Sequence, residues 1–176
     1  MNYKEFQEKS IRTLARLDSN KSDLAHMVLG ICTEISELEE AVHKGDIVGI
    51  GEELADMQWY ISNYNNLLNR EYVQNDSLNT DDISTLINLL YSQCSLLQDL
   101  VKKYLAYNKP INSITETSLL DNIDSTILSI YNKYGISVSE CMEKNINKLK
   151  ERYPEKFDED CAINRNIIEE RRILES

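Results

Sequence analysis

Apolar residues recur at steps of three and four along most of the chain, and nowhere does a two-residue alternation persist, so the pattern predicts helices and no strands. The first predicted helix runs from Tyr3 to Leu17, with Phe6, Ile11, Leu14 and Leu17 on its buried side. The turn Asp18-Ser19-Asn20 ends it, and Ser22 or Asn20 caps the next helix. This second helix runs from about Asp23 to Lys44, with Leu24, Val28, Ile31, Ile35, Leu38 and Val42 in one stripe. Gly45 suits a C′ position and Asp46 an N-cap. The third helix, from about Ile47 to Asn69, carries Ile50, Leu54, Met57, Ile61, Tyr64 and Leu68. After a polar break at Asn75 to Asp82, a fourth helix spans about Asp82 to Tyr107 and a fifth about Ser118 to Tyr134, closed by Gly135. The capping box Ser137-Val138-Ser139-Glu140 opens a sixth helix with Val138, Met142, Ile146 and Leu149, which stops at Tyr153-Pro154. One further short helical pattern lies around Asn164 to Leu174.

Composition agrees with this picture. The chain has 176 residues, enough for one domain with a real core, and only five Gly and two Pro, too few for the many tight turns of a sheet protein. No apolar run reaches membrane-spanning length, and the polar start Met1-Asn2-Tyr3-Lys4-Glu5-Phe6 lacks a signal-peptide core, so the expected location is the cytoplasm. Cys32, Cys94, Cys141 and Cys161 form no metal-binding spacing and read as reduced apolar fillers. A net charge of −11 argues against general nucleic-acid binding, which needs a basic face. It leaves room for a small phosphate-bearing substrate, provided a divalent cation neutralises both sides.

Two helices carry acid pairs spaced by three, Glu34 with Glu37 and Glu53 with Asp56. That spacing puts both carboxylates on one helical side, where they repel unless a cation sits between them. Glu34 lies roughly 80° and Glu53 roughly 60° from the centre of its own apolar stripe, at the border of the core. The tight turn between the helices makes an antiparallel hairpin, on one edge of which four carboxylates converge. Oxygen-only ligands suit Mg²⁺ or Mn²⁺. The plainer alternative is a solvated acidic surface, and Glu52, which faces away from the core stripe, reads as such.

The run Thr33-Glu34-Ile35-Ser36-Glu37-Leu38-Glu39-Glu40-Ala41, followed by Glu52-Glu53-Leu54-Ala55-Asp56-Met57-Gln58-Trp59-Tyr60, resembles the E-x-x-E…E-x-x-D signature of MazG-like proteins. These belong to the all-alpha NTP pyrophosphatase superfamily, together with the dimeric dUTPases and the dCTPases. The opening Tyr3-Lys4-Glu5-Phe6-Gln7-Glu8 through Arg12-Thr13 resembles their first helix, and Asn145 to Phe157, with Ala162-Ile163-Asn164-Arg165, resembles their tail. About sixty residues intervene between the acid hairpin and that tail where the small form has almost none, on the order of one α-hairpin. Leu100 to Pro110 resembles the stretch after the first acid pair, which suggests a degenerate second copy of the hairpin. In that copy Gln93, Leu96, Leu119 and Asn122 stand where the acids would be, and the pair Asp121 and Asp124 is out of register by two. An unrelated helical insertion is the alternative.

The expected architecture is therefore an all-α antiparallel bundle in a single domain over residues 1–176. Residues 1–70 hold the intact acidic hairpin, 80–135 the degenerate repeat, and 136–176 the basic C-terminal helix and tail. Two hairpins would complete a four-helix core within one chain. Relatives commonly build that core by dimerisation, so a homodimer or higher oligomer stays open.

The resemblance implies Mg²⁺-dependent hydrolysis of a nucleoside triphosphate to a monophosphate and pyrophosphate. Glu34, Glu37, Glu53 and Asp56 would be the metal ligands, with Glu37 or Glu53 orienting the attacking water. Lys148 and Arg152, with Asn145 on the same helical side, are candidates for the outer phosphates, and Asn164 and Arg165 weaker ones. Tyr60, Asn63 and Trp59 are candidates for base or sugar, and His26 borders the same side. The competing readings are a nucleotide sensor with weak turnover and a helical partner-binding protein without activity.

Overall fold

The computed structural model describes residues 1–80 and 82–176, with Asp81, inside the polar break, lying outside the described residues. Helices α1 (Tyr3–Ser10), α2 (Asn20–Lys44), α3 (Ile47–Leu67), α4 (Ile83–Tyr107), α5 (Ser113–Tyr134), α6 (Val138–Arg152), α7 (Glu159–Ile163) and α8 (Ile167–Glu175) succeed one another in order, with a 3₁₀ turn at Ile11–Thr13. No strand occurs among the described residues. No described helix is long and apolar enough to cross a membrane.

Helices α2 and α3 form the first hairpin. Gly45 ends α2 at φ +67°, a left-handed conformation that costs glycine little, and the Asp46 N–H donates back to the Ala41 carbonyl at 3.0 Å. The Asp46 carboxylate then accepts from the Gly49 N–H at 3.1 Å and caps α3. Helices α4 and α5 form the second hairpin, with Asn108 left-handed at φ +55° and Asn112 capping α5. The two hairpins pack α2 on α4 and α3 on α5, giving a four-helix core in one chain. Leu24, Val28, Ile31, Ile35 and Leu38 of α2 and Ile50, Leu54, Met57, Ile61 and Tyr64 of α3 are all buried in it. Each such aliphatic side chain contributes about 1.5–3 kcal/mol of transfer free energy.

Helix α3 is the hub. Besides α2 and α5 it supports α1 on one flank and α6 on another, and α8 packs on α6. Residues 68–80 strap the second hairpin to the first. Buried Tyr72 donates its backbone N–H to the Gln7 side chain (2.8 Å) and its hydroxyl to Asp124 (2.5 Å), and the Leu78 N–H donates to Ser129 (2.8 Å).

Three boundaries differ from expectation. Helix α1 stops at Ser10, whose hydroxyl is buried 3.0 Å from that of Ser62. The chain then turns, leaving Ile11 and Leu17 half exposed while Leu14 stays buried. Ser19, rather than Ser22 or Asn20, caps α2 by accepting from the Ser22 N–H at 3.2 Å. Helix α5 begins five residues earlier than its periodicity predicts, and the tail holds two short helices where one pattern is legible.

Candidate functional site

The Gly45 turn sets the register that assembles the acids. Glu37 and Glu53 each lie eight residues from Gly45, and Glu34 and Asp56 each lie eleven. In an antiparallel hairpin such pairs stand level with each other, roughly 12–16 Å from the turn at 1.5 Å per residue. Glu34, Glu37 and Glu53 accordingly each bring one carboxylate oxygen within 4.8 Å of the others.

Asp56 lines the same cleft, but its oxygens are engaged. Asn145 donates to Oδ1, and the Lys148 ammonium contacts Oδ2 at 2.5 Å. Lys148 also reaches Glu52 at 3.1 Å. Packing of α6 onto α3 causes this arrangement, since Asn145, Lys148 and Arg152 lie along the α6 face that meets α3.

The cleft holds about 230 Å³ and is lined by both charged and aromatic side chains. Glu34, Glu37, Glu52, Glu53 and Asp56 line it together with Arg152 and Arg165. Thr13, His26, Trp59, Tyr60, Tyr153 and Phe157 also line it. The Trp59 and Tyr60 rings meet edge to face at 5.0 Å, and the Trp59 indole N–H donates to Thr13 at 3.2 Å. Tyr60 lies directly against α2 at Gly30, where a Cβ would fall 2.2 Å from its ring. The His26 Nδ1 is buried without a hydrogen-bond partner among the described residues, and burial pushes the imidazole pKa down despite the charge of Asp23.

Electrostatics separate the acids from one another. Burial, reinforced by the charge of Asp56, pushes the Glu34 carboxyl up to about 7. The same two causes, joined by Glu52, push Glu53 up to about 10. Glu34 and Glu53 stand close to each other, so charging one disfavours charging the other, and a cation between them would relieve both. The donor set fits a hard divalent ion, because all three groups are carboxylates from two rigid helices and none makes an ion pair with a described cation.

The remaining predicted residues divide clearly. Arg152, Trp59, Tyr60 and His26 line the cleft. Asn63 does not: it is fully buried, donating to the Trp59 carbonyl at 3.0 Å, because its position on α3 faces α1 rather than the cleft. Lys148 and Asn145 are partners of Asp56: Lys148 is 1% exposed, and its ammonium is held by two carboxylates rather than presented to the cleft. Glu52 is corrected from surface to cleft wall. A helical wheel assumes one core, whereas α3 has packed neighbours on several sides. Arg165, a weak candidate in sequence, lines the cleft, and its anchor Glu170 carries no sequence signal.

The second hairpin assembles no counterpart. Gln93 accepts from Thr126 (3.2 Å), Leu96 and Asn122 are exposed, and Leu119 is partly buried. Asp121 is exposed, while Asp124 is fully buried among the donors of Gln58, Tyr72 and Asn75.

No protein-family model, curated protein or solved structure matches the chain.

Proposed function

We propose that the cleft is the active site of a Mg²⁺-dependent nucleoside triphosphate pyrophosphohydrolase, releasing a nucleoside monophosphate and pyrophosphate. The observation that carries this reading is the convergence of Glu34, Glu37 and Glu53 within 4.8 Å, in a cleft that Arg152, Arg165, Trp59 and Tyr60 also line. The sequence resemblance to MazG-like proteins selects pyrophosphohydrolysis among the reactions such a cleft could support.

Glu34, Glu37 and Glu53 would hold Mg²⁺ or Mn²⁺, which when bound supplies charge neutralisation of phosphate oxygens and a water of lowered pKa. The protein's own groups do the rest. Arg152 and Arg165 attract the outer phosphates. Trp59 and Tyr60 offer ring faces and edges to a nucleobase, and the neutral His26 imidazole can exchange a hydrogen bond with it. Glu37, the most exposed of the three acids, is best placed to accept a proton from the attacking water.

Hydrolysis of a panel of NTPs and dNTPs tests this. Monophosphate plus pyrophosphate, lost in EDTA and in Glu53→Gln, is the expected result. Diphosphate plus phosphate would refute the cleavage site. A specific observation favours a second reading, a nucleotide-binding sensor: Asp56 is already neutralised by Lys148, leaving three ligands instead of four. Mg²⁺-dependent nucleotide binding without turnover would select it.

A further inference from the structure

Helix α8 is fastened beside the cleft by a buried carboxylate. Glu170 is 2% exposed, yet nothing apolar about its position explains why an acid should be there. Its partners do. The Arg152 Nε donates to Oε1 at 2.9 Å and Nη2 to Oε2 at 2.6 Å, a two-pronged pair. The Arg165 Nε and Nη2 both donate to Oε2, at 3.2 and 2.7 Å. Burial opposes ionisation of Glu170, but the arginine hydrogen bonds outweigh it and hold the carboxyl at about 2.

Both guanidinium groups thus spend the same edge on Glu170. The Nη1 of each makes no hydrogen bond among the described residues, and both arginines line the cleft that the acids face. Two like charges would otherwise separate. Arg165, with a side chain 40% exposed, would be free to turn to solvent. One carboxylate between them offsets that repulsion and fixes both planes.

We propose that Glu170 is a positioning residue that presents the Nη1 edges of Arg152 and Arg165 to the cleft as a paired clamp for the outer phosphates of a nucleoside triphosphate. The proposal rests on the functional reading above for its ligand, although its chemistry requires only a linear polyphosphate. Glu170 is not a masking group that the phosphates must displace. Its bidentate, buried bond to Arg152 is too costly to break, and the bonds it makes leave the outer edge of each fork open.

The two roles give opposite signs when the charge is removed. Binding of inorganic tripolyphosphate, measured by calorimetry with Mg²⁺ present, is the direct probe. A positioning role predicts that Glu170→Gln weakens binding roughly tenfold or more, the size of a lost charge-assisted hydrogen bond. Arg165→Ala should lose a similar factor, and the double variant little beyond either alone. A control breaks a different α8 tether, where Arg171 forks onto Asp46 at 2.9 Å. Arg171→Ala should leave tripolyphosphate affinity within about twofold, which separates clamp geometry from mere docking of α8. In turnover, Glu170→Gln should raise KM more than it lowers kcat. Tighter or unchanged binding in Glu170→Gln would overturn the proposal, as would a wild-type protein that does not bind tripolyphosphate. Should wild type bind tripolyphosphate but hydrolyse no nucleotide, with Glu170→Gln still weakening binding, the clamp stands and the enzymatic reading falls. Hydrolysis and binding both indifferent to Glu170→Gln would leave the enzyme standing without the clamp.

Discussion

The two hairpins bury acids in opposite ways. In the α4–α5 hairpin, Asp124 is fully buried but receives hydrogen bonds from Gln58 (3.2 Å), Tyr72 (2.5 Å) and Asn75 (3.1 Å). Burial still pushes its pKa up, and those bonds pull against the rise. In the α2–α3 hairpin, Glu34 and Glu53 are only partly buried, and neither makes an ion pair with a described cation. Glu34 draws some relief from the Thr33 hydroxyl (3.5 Å) and the more distant charge of Lys148, but burial and the neighbouring acids still push both carboxyls up. The first acid is satisfied by neutral groups and belongs to the structure. The second pair is left short of positive charge beside an open cleft, the arrangement expected of a site that acquires a cation.

Substitutions should expose this contrast. Asp124→Ala leaves buried donors without an acceptor and should cost about 4 kcal/mol in urea unfolding. Glu53→Gln removes an acid whose ionisation the fold disfavours and should leave metal-free stability at pH 7 unchanged or raised. A comparable cost for the two would erase the distinction between the hairpins.

Lys148→Met should cost about 3 kcal/mol, because Asp56 and Glu52 lose the ammonium that neutralises them. Mg²⁺ should restore part of that loss by recruiting Asp56 as a fourth ligand. Thermal unfolding with and without Mg²⁺ measures both effects, and a Mg²⁺ response no larger than that of wild type would contradict the recruitment.

The same acids govern the pH dependence. Glu34 moves from 4.5 to about 7 on folding, so in metal-free protein its contribution is complete below pH 4.5 and is lost as pH rises toward 7. Glu53 extends the loss toward pH 10. Glu170 runs the other way: held at about 2, it contributes above pH 4.5 and fails as pH falls toward 2. Metal-free stability should therefore peak near pH 4–5 and fall as pH rises to 7, a slope that Mg²⁺ flattens. A metal-free optimum at neutral pH would count against uncompensated acids.

The smallest expected effect concerns the aromatic lining of the cleft. Gly30→Ala drives a methyl into the Tyr60 ring and should cost about 1–2 kcal/mol. Nucleoside triphosphate affinity should fall while tripolyphosphate affinity holds, and equal loss of both would argue against a base subsite there.

Much of the fold is legible in the residues alone. Long stripes at three-and-four spacing locate α2, α3 and α4 to within about three residues, and Asp46 and Gly45 fix the hairpin register that aligns the acids. The start of α5 is hidden because Ser113 to Thr117 carries no apolar stripe, with Ile114 80% exposed and Glu116 buried through a bond from Tyr64. The places of Glu52 and Asn63 escape a sequence reading for one shared reason. Both lie on α3, whose neighbours α1 and α6 come from distant parts of the chain. Glu170 is further still from sequence reach: its meaning depends on Arg152, eighteen positions away, and on the fold of the tail.

A divalent cation bound by the first hairpin would have to displace carboxyl protons. Calorimetric titration of Mn²⁺ at pH 6, repeated in two buffers of different ionisation enthalpy, counts the protons released. Binding that releases at least one proton in wild type, and that is lost in Glu53→Gln while Asp124→Asn retains it, is the predicted result. Binding without proton release, or none at all in a folded protein, would contradict it.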